Sequence, residues 1–289
     1  MNSFKISKTL ASIVAFLAII VSSVGVFWNN GGEAFYVTSI YGDQVQMYGK
    51  GIYAYDTYFK APIQIGTDIV TLFIAVPILI IAIWLNKKEL LRYKLLLLGV
   101  LSYFLYSSAS LAFGVAYNRL FLVYLLYFSA ALFSFILGVT SINTKDILNK
   151  VTEKMPRKAI ANFMIFAGFS VFVWFIEILT ALFTGKPPVS LSVYTTEPTY
   201  IFDLGIIAPS AFACAVLLFR KKPIGYVFAA VLLVLNSFIG VVIVSQTIVQ
   251  KFVGVNISMG QFIAFVGVFI VMSLVGIVLN IKLLKNIRI

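Results

Sequence analysis

Eight long apolar runs punctuate this sequence, at about 10–28, 65–85, 94–116, 120–142, 159–183, 201–219, 224–247 and 259–281. About 20 apolar residues, rising about 1.5 Å each, cross the roughly 30 Å of a bilayer's hydrocarbon, so every run is long enough to span. A water-soluble core could not hide them: the chain is 61% hydrophobic and 11% charged, with a mean hydropathy of +1.03. The expected fold is an all-α membrane protein of eight transmembrane helices, a single domain over 1–289. The first run follows Lys5 and Lys8 as a signal peptide would. Its length and the sequence Ser22-Ser23-Val24-Gly25, a poor cleavage site, favour an uncleaved helix.

Basic residues sort the connections into two sets. Seventeen of the 22 lysines and arginines fall before the first run, after every even-numbered run and after the last. Only Lys50, Lys60, Arg119, Lys186 and Lys251 lie on the opposite side. By the positive-inside rule both termini are cytoplasmic in a plasma membrane, and one miscounted helix would invert every later loop. The net charge of +12 is therefore topology rather than a nucleic-acid footprint, and the bilayer is the expected partner. With no histidine and a single cysteine, Cys214, inside an apolar run, no cofactor, metal centre or intrachain disulfide is expected.

Two outer loops, 29–62 and 184–200, are long enough to have structure. In the first, Phe35 to Tyr41, Gln44 to Tyr48 and Ile52 to Tyr55 are β-branched and aromatic runs separated by glycine turns, which read as three strands. Val189-Ser190-Leu191-Ser192-Val193-Tyr194 in the second alternates in the same way, so a small extracellular β cap is expected. Around Tyr41-Gly42-Asp43-Gln44-Val45-Gln46-Met47-Tyr48-Gly49-Lys50-Gly51-Ile52-Tyr53-Ala54-Tyr55-Asp56 the sequence resembles a family of uncharacterised bacterial multi-spanning membrane proteins. The resemblance covers mainly this loop and the next helix, and implies no activity, ligand or site residue.

The two halves share a layout: a helix, a β-prone outer loop, a helix with an acid near its outer end, a basic inner loop and a helical hairpin. Asp56-Thr57-Tyr58-Phe59 is similar to Glu197-Pro198-Thr199-Tyr200-Ile201-Phe202, and Pro77 and Pro209 each follow an acid, Asp68 and Asp203. A 4+4 internal repeat, about 1–143 and 159–289, is expected. Four helices return the chain to its starting side, so the halves would be parallel.

Glu177 is the most informative residue, lying about 9 Å inside the outer end of its helix with no lysine or arginine at its depth. Desolvation disfavours its charged form, so it should hold a proton or a cation unless water reaches it. Ser170, Trp174, Thr180 and Thr184 share its helical face. The competing reading is a protonated acid that bonds a neighbouring helix. Asp68 and Asp203 either mark helix N-termini, where the dipole favours negative charge, or line an outward vestibule with Arg119 as counter-charge. Asn236 is an amide in mid-span that needs a partner. Ser107, Ser110, Gly114, Gly240, Gly260, Ala264 and Gly267 make small faces for helix packing.

Nucleotide motifs are absent, and neither Thr67-Asp68 nor Phe202-Asp203 has the Gly-x-Gly-Asp context of intramembrane aspartyl proteases. The leading expectation is binding or transport of a small cation, proton or solute at an outward-facing acidic site built from Glu177, Asp68, Asp203, Arg119 and Asn236. The alternative is a non-transporting scaffold whose β cap binds an extracellular or envelope partner.

Overall fold

The computed structural model describes residues 3–28, 30–188, 190–256, 260 and 266–288. Among them are eight helices long and apolar enough to cross a membrane: Ser3–Phe27, Lys60–Lys88, Leu91–Gly114, Phe121–Thr140, Arg157–Thr184, Pro198–Phe219, Pro223–Phe252 and Val268–Lys285. They are called the first to eighth spans below. The start of the eighth apolar run, with Ala264 of its small face, lies outside the described residues.

The third and seventh spans form the centre, with 72% and 67% of their most apolar windows inside the molecule. The first packs on the fourth, the fifth on the sixth, and the eighth on the seventh, while the seventh also meets the second and third. Small residues set these crossings. A Cβ on Gly66 would stand 2.5 Å from the Gln246 Cα, so only glycine lets the second and seventh spans approach this closely. Ser245 Oγ and Gln246 Nε2 then donate to the Gly66 carbonyl and Thr67 Oγ1, at 2.8 and 2.9 Å.

The second and sixth spans share an irregularity. A five-residue π turn, Thr71–Ala75, precedes Val76-Pro77, and another, Asp203–Ile207, precedes Ala208-Pro209. Proline lacks the N–H that the carbonyl four residues earlier would accept, and its ring crowds that carbonyl. Widening the turn before it relieves both faults.

At one end of the bundle, Lys94 Nζ lies 4.2 Å from the centre of the Phe4 ring. The Arg288 N–H donates to the Lys150 carbonyl at 2.7 Å. Both termini are thus among the basic loops. At the other end, β1 (Phe35–Thr38) and β2 (Gln44–Met47) form an antiparallel hairpin pairing Phe35 with Met47 and Thr38 with Gln44.

The expected third strand is instead a 3-10 turn, Gly51–Tyr53. Gly49 and Gly51, both at positive φ, bend the chain back, and the Gly49 N–H donates to the Ala54 carbonyl at 2.9 Å. Ser190–Tyr194 is a pair of turns rather than a strand, closed by Leu191 N–H to Pro188 and Tyr194 N–H to Leu191. The two prolines before it, Pro187 and Pro188, lack ladder donors, and Ser190 is bonded elsewhere. Val189, the first residue of that expected strand, lies outside the described residues.

Candidate functional site

Asp68 is 2% exposed and lies about 12 Å inside the second span, because the helix starts at Lys60. The helix-start explanation of this acid therefore fails. At that N-terminus Thr57 Oγ1 accepts the Lys60 N–H at 3.1 Å. Asp68 is met from above by the outer cap: Tyr53 OH donates to its Oδ2 at 2.6 Å. From the first span Gly25 makes room, since a Cβ there would stand 1.8 Å from that oxygen. Tyr103, Tyr124 and Tyr127 are within electrostatic reach, and Tyr103 shares a 2.6 Å hydrogen bond with Thr71. Asp68 forms no ion pair among the described residues.

Asp203, 8% exposed, begins the second π turn five residues into the sixth span, beyond the helix start. Tyr106 OH donates to its Oδ1 at 3.0 Å and Trp174 Nε1 to its Oδ2 at 2.9 Å. Tyr103 and Tyr106 are one turn apart on the third span, so that helix serves the surroundings of both acids.

Above these acids, the outer loops close on a mixed-charge cluster. Asp56 is 1% exposed, and its Oδ1 accepts from the Ala116 N–H at 2.9 Å and Tyr194 OH at 2.8 Å. Its Oδ2 is buried without a hydrogen-bond partner. Lys60 Nζ sits 2.6 Å from Glu197 Oε2 and 3.9 Å from the centre of the Tyr194 ring. Glu197 Oε1 accepts the Thr199 N–H at 3.3 Å, capping the sixth span, and Thr199 Oγ1 at 2.8 Å. Burial pushes the Asp56 carboxyl up to about 6, although the Ala116 N–H, Tyr194 and Lys60 all pull it down. Burial also raises the Tyr194 phenol, so it remains a donor.

Glu177 is half-buried rather than enclosed, and its Oε1 accepts from Ser190 N–H and Oγ at 3.3 and 2.9 Å. Ser190 Oγ is 2.5 Å from Tyr200 OH. Glu177 thus anchors the second outer loop. Of the face expected around it, Trp174 reaches Asp203, while Thr180 and Thr184 bond to carbonyls of their own helix. Arg119 is exposed and pairs with neither aspartate. The cation that contacts the cluster is Lys60. Asn236 Nδ2 donates to the Leu232 carbonyl of its own helix at 2.8 Å, so that donor is satisfied without another helix.

Sequence reasoning missed Tyr53, Lys60, Tyr106 and Tyr194 as site residues. One signal pointed near them: Asp56 and Glu197, matched in the comparison of halves, lie just before the second and sixth spans and both lie near Lys60.

The eight long apolar helices among the described residues fit a multi-pass α-helical integral membrane protein, with buried carboxyls toward the end that carries the hairpin. No family model matches the chain, and no curated protein or solved structure is significantly similar to it.

Proposed function

We propose that this protein binds a small cation, proton or solute from the outer side and moves it, with Asp68 as the principal acid and Asp203 the second. The burial of Asp68 carries the reading. A carboxyl in low dielectric with a phenol donor and no basic partner is costly as a bare charge, so it holds a proton or a cation. Its helix is also interrupted by a π turn and a proline, an arrangement frequent where membrane helices work rather than only pack.

A parallel 4+4 repeat supports this reading, and itself rests on the matched π-turn and proline pairs and on the like placing of Asp56 and Glu197. The halves differ elsewhere. The first span packs broadly on the fourth, whereas the described part of the eighth barely meets the fifth. Residence in the plasma membrane with cytoplasmic termini follows from the basic loops gathering at the end that holds both termini. Resemblance of the first outer loop to bacterial multi-spanning proteins agrees with that setting.

The test is proton movement in liposomes containing the purified protein and an internal pH-sensitive dye, under an imposed potential with sodium or potassium outside. Asp68→Asn should abolish the signal while leaving the melting temperature within a few degrees, because the amide still accepts from Tyr53. An unchanged signal in a folded Asp68→Asn protein would remove Asp68 from the function. A second reading, an anchor whose cap binds an envelope partner, draws on the exposed Tyr36, Ile40, Tyr41 and Tyr55 around the hairpin. It expects no proton or cation signal from the wild-type protein at all.

A further inference from the structure

Residues 51–59 form the roof over Asp68, and three of its side chains, with one backbone N–H, tie that roof down. Tyr53 OH bonds Asp68 beneath it. Tyr58 OH bonds the Val253 carbonyl at the end of the seventh span. Asp56 bonds two separate elements, the Ala116 N–H in the turn between the third and fourth spans and Tyr194 OH in the second outer loop. Tyr194 OH also accepts the Thr57 N–H at 3.1 Å, so the second loop grips the roof at adjacent residues.

The charge at this clasp does not balance. Asp56 and Glu197 are two carboxyls beside one lysine, Lys60, whose 2.6 Å contact is with Glu197. The titratable groups facing Asp56 are Lys60 from the second span, Tyr194 from the second outer loop, Tyr124 from the fourth span, and Tyr53 from the roof itself. Arg119 belongs to the same turn as Ala116 but is exposed. Asp56 Oδ2 is shielded from solvent and receives no donor. An ionised Asp56 leaves charge on an oxygen that receives no hydrogen bond in the closed clasp, with only a lysine already paired to Glu197 to offset it.

We propose that Asp56 is a proton-binding site on the outer face, and that taking up a proton there closes the 51–59 roof over Asp68. With Oδ2 protonated, the orphaned charge disappears, while Oδ1 still accepts from Ala116 and Tyr194. With Asp56 ionised, the carboxylate gains by moving into water, which lifts the roof and draws Tyr53 off Asp68. The sign follows from linkage: Asp56 holds its proton more tightly in the closed form, so closure is favoured at acid pH and lost as pH rises through about 6. This deepens the transport reading, on which it rests for purpose, by giving the buried site an acid-closed entrance from outside.

Hydrogen–deuterium exchange of the whole protein in lipid nanodiscs, corrected for the intrinsic pH dependence of exchange, tests this without any transported ligand. Tyr48 N–H donates to Asp56, Gly49 N–H to Ala54 and Asp56 N–H to Tyr53, so peptides spanning 48–57 report closure. In the wild type their protection should fall by up to about 10-fold between pH 5 and pH 8, the ratio set over that window by a carboxyl moving between about 6 and its usual range near 4. Asp56→Asn, which cannot ionise, should stay protected at both pH values. Tyr194→Phe, which removes a donor to the carboxylate, should move the transition to higher pH even if Asp56→Asn folds poorly. Equal protection of the wild type at both pH values, or no shift in Tyr194→Phe, would overturn the proposal. Asp68→Asn should retain the pH response. If Asp68→Asn loses it, the titrating group is Asp68, and the clasp proposal fails while the role of Asp68 stands.

Discussion

At the scale of single residues, space decides as much as charge does. Asp68 can lie among apolar helices because Gly25 leaves room for the carboxyl and Tyr53 donates to it. Gly25→Ala should push the carboxyl off Tyr53 and destabilise the protein by about 1–3 kcal/mol, the usual cost of overpacking a close contact. Thermal unfolding in detergent measures this. Gly205→Ala is the control, because a Cβ there meets nothing within 4 Å, and its melting temperature should be near that of the wild type. An acid could be read from the sequence. The glycine on another helix that makes it tolerable could not, because the sequence carries no signal that residues 25 and 68 touch.

At the scale of elements, the fifth span shows how a polar residue can be legible while its task is not. Its outer half, Val173–Thr184, buries no side chain, which leaves Phe175, Ile176 and Phe183 facing outward. On that half Trp174 turns to Asp203, and Glu177 holds Ser190. Glu177→Gln keeps a carbonyl oxygen able to accept from Ser190, so it should leave Asp68-dependent proton movement near the wild-type level. Glu177→Ala should release the second outer loop, seen as faster hydrogen exchange over 185–196, with about 1 kcal/mol lost from the bundle. Loss of proton movement in a folded Glu177→Gln protein would return this acid to the centre of the site. The prolines of the second and sixth spans are of the opposite kind. Both were visible, and the backbone rule that proline removes a donor accounts for an irregular turn ahead of each.

For the whole molecule, the two ends differ in kind. One gathers the basic loops and both termini, and the other carries the hairpin, the roof and the clasp. Cysteines introduced at Asp43 or Ser190 should react with an impermeant maleimide applied to intact cells, whereas one at Asn149 should react only after the cells are opened. Labelling at Asn149 from outside would invert the arrangement. The clasp also joins the halves of the chain: Asp56 and Lys60 come from the first, Tyr194 and Glu197 from the second.

What the sequence determined alone was the number of spans and the sorting of basic loops, because crossing hydrocarbon demands a minimum apolar length and positive charge biases each turn to one side. It also located the intramembrane acids, since a carboxyl in an apolar run is conspicuous wherever it points. The tertiary structure decided which acid is enclosed, which is shared with a lysine and which anchors a loop, for those roles depend on neighbours far off in the chain: Asp56 with Tyr194, and Tyr106 with Asp203 on another helix. It also turned the third expected strand into a roof. β propensity describes how a segment suits a pleated surface, whereas two glycines at positive φ and a phenol reaching Asp68 fix where this segment goes.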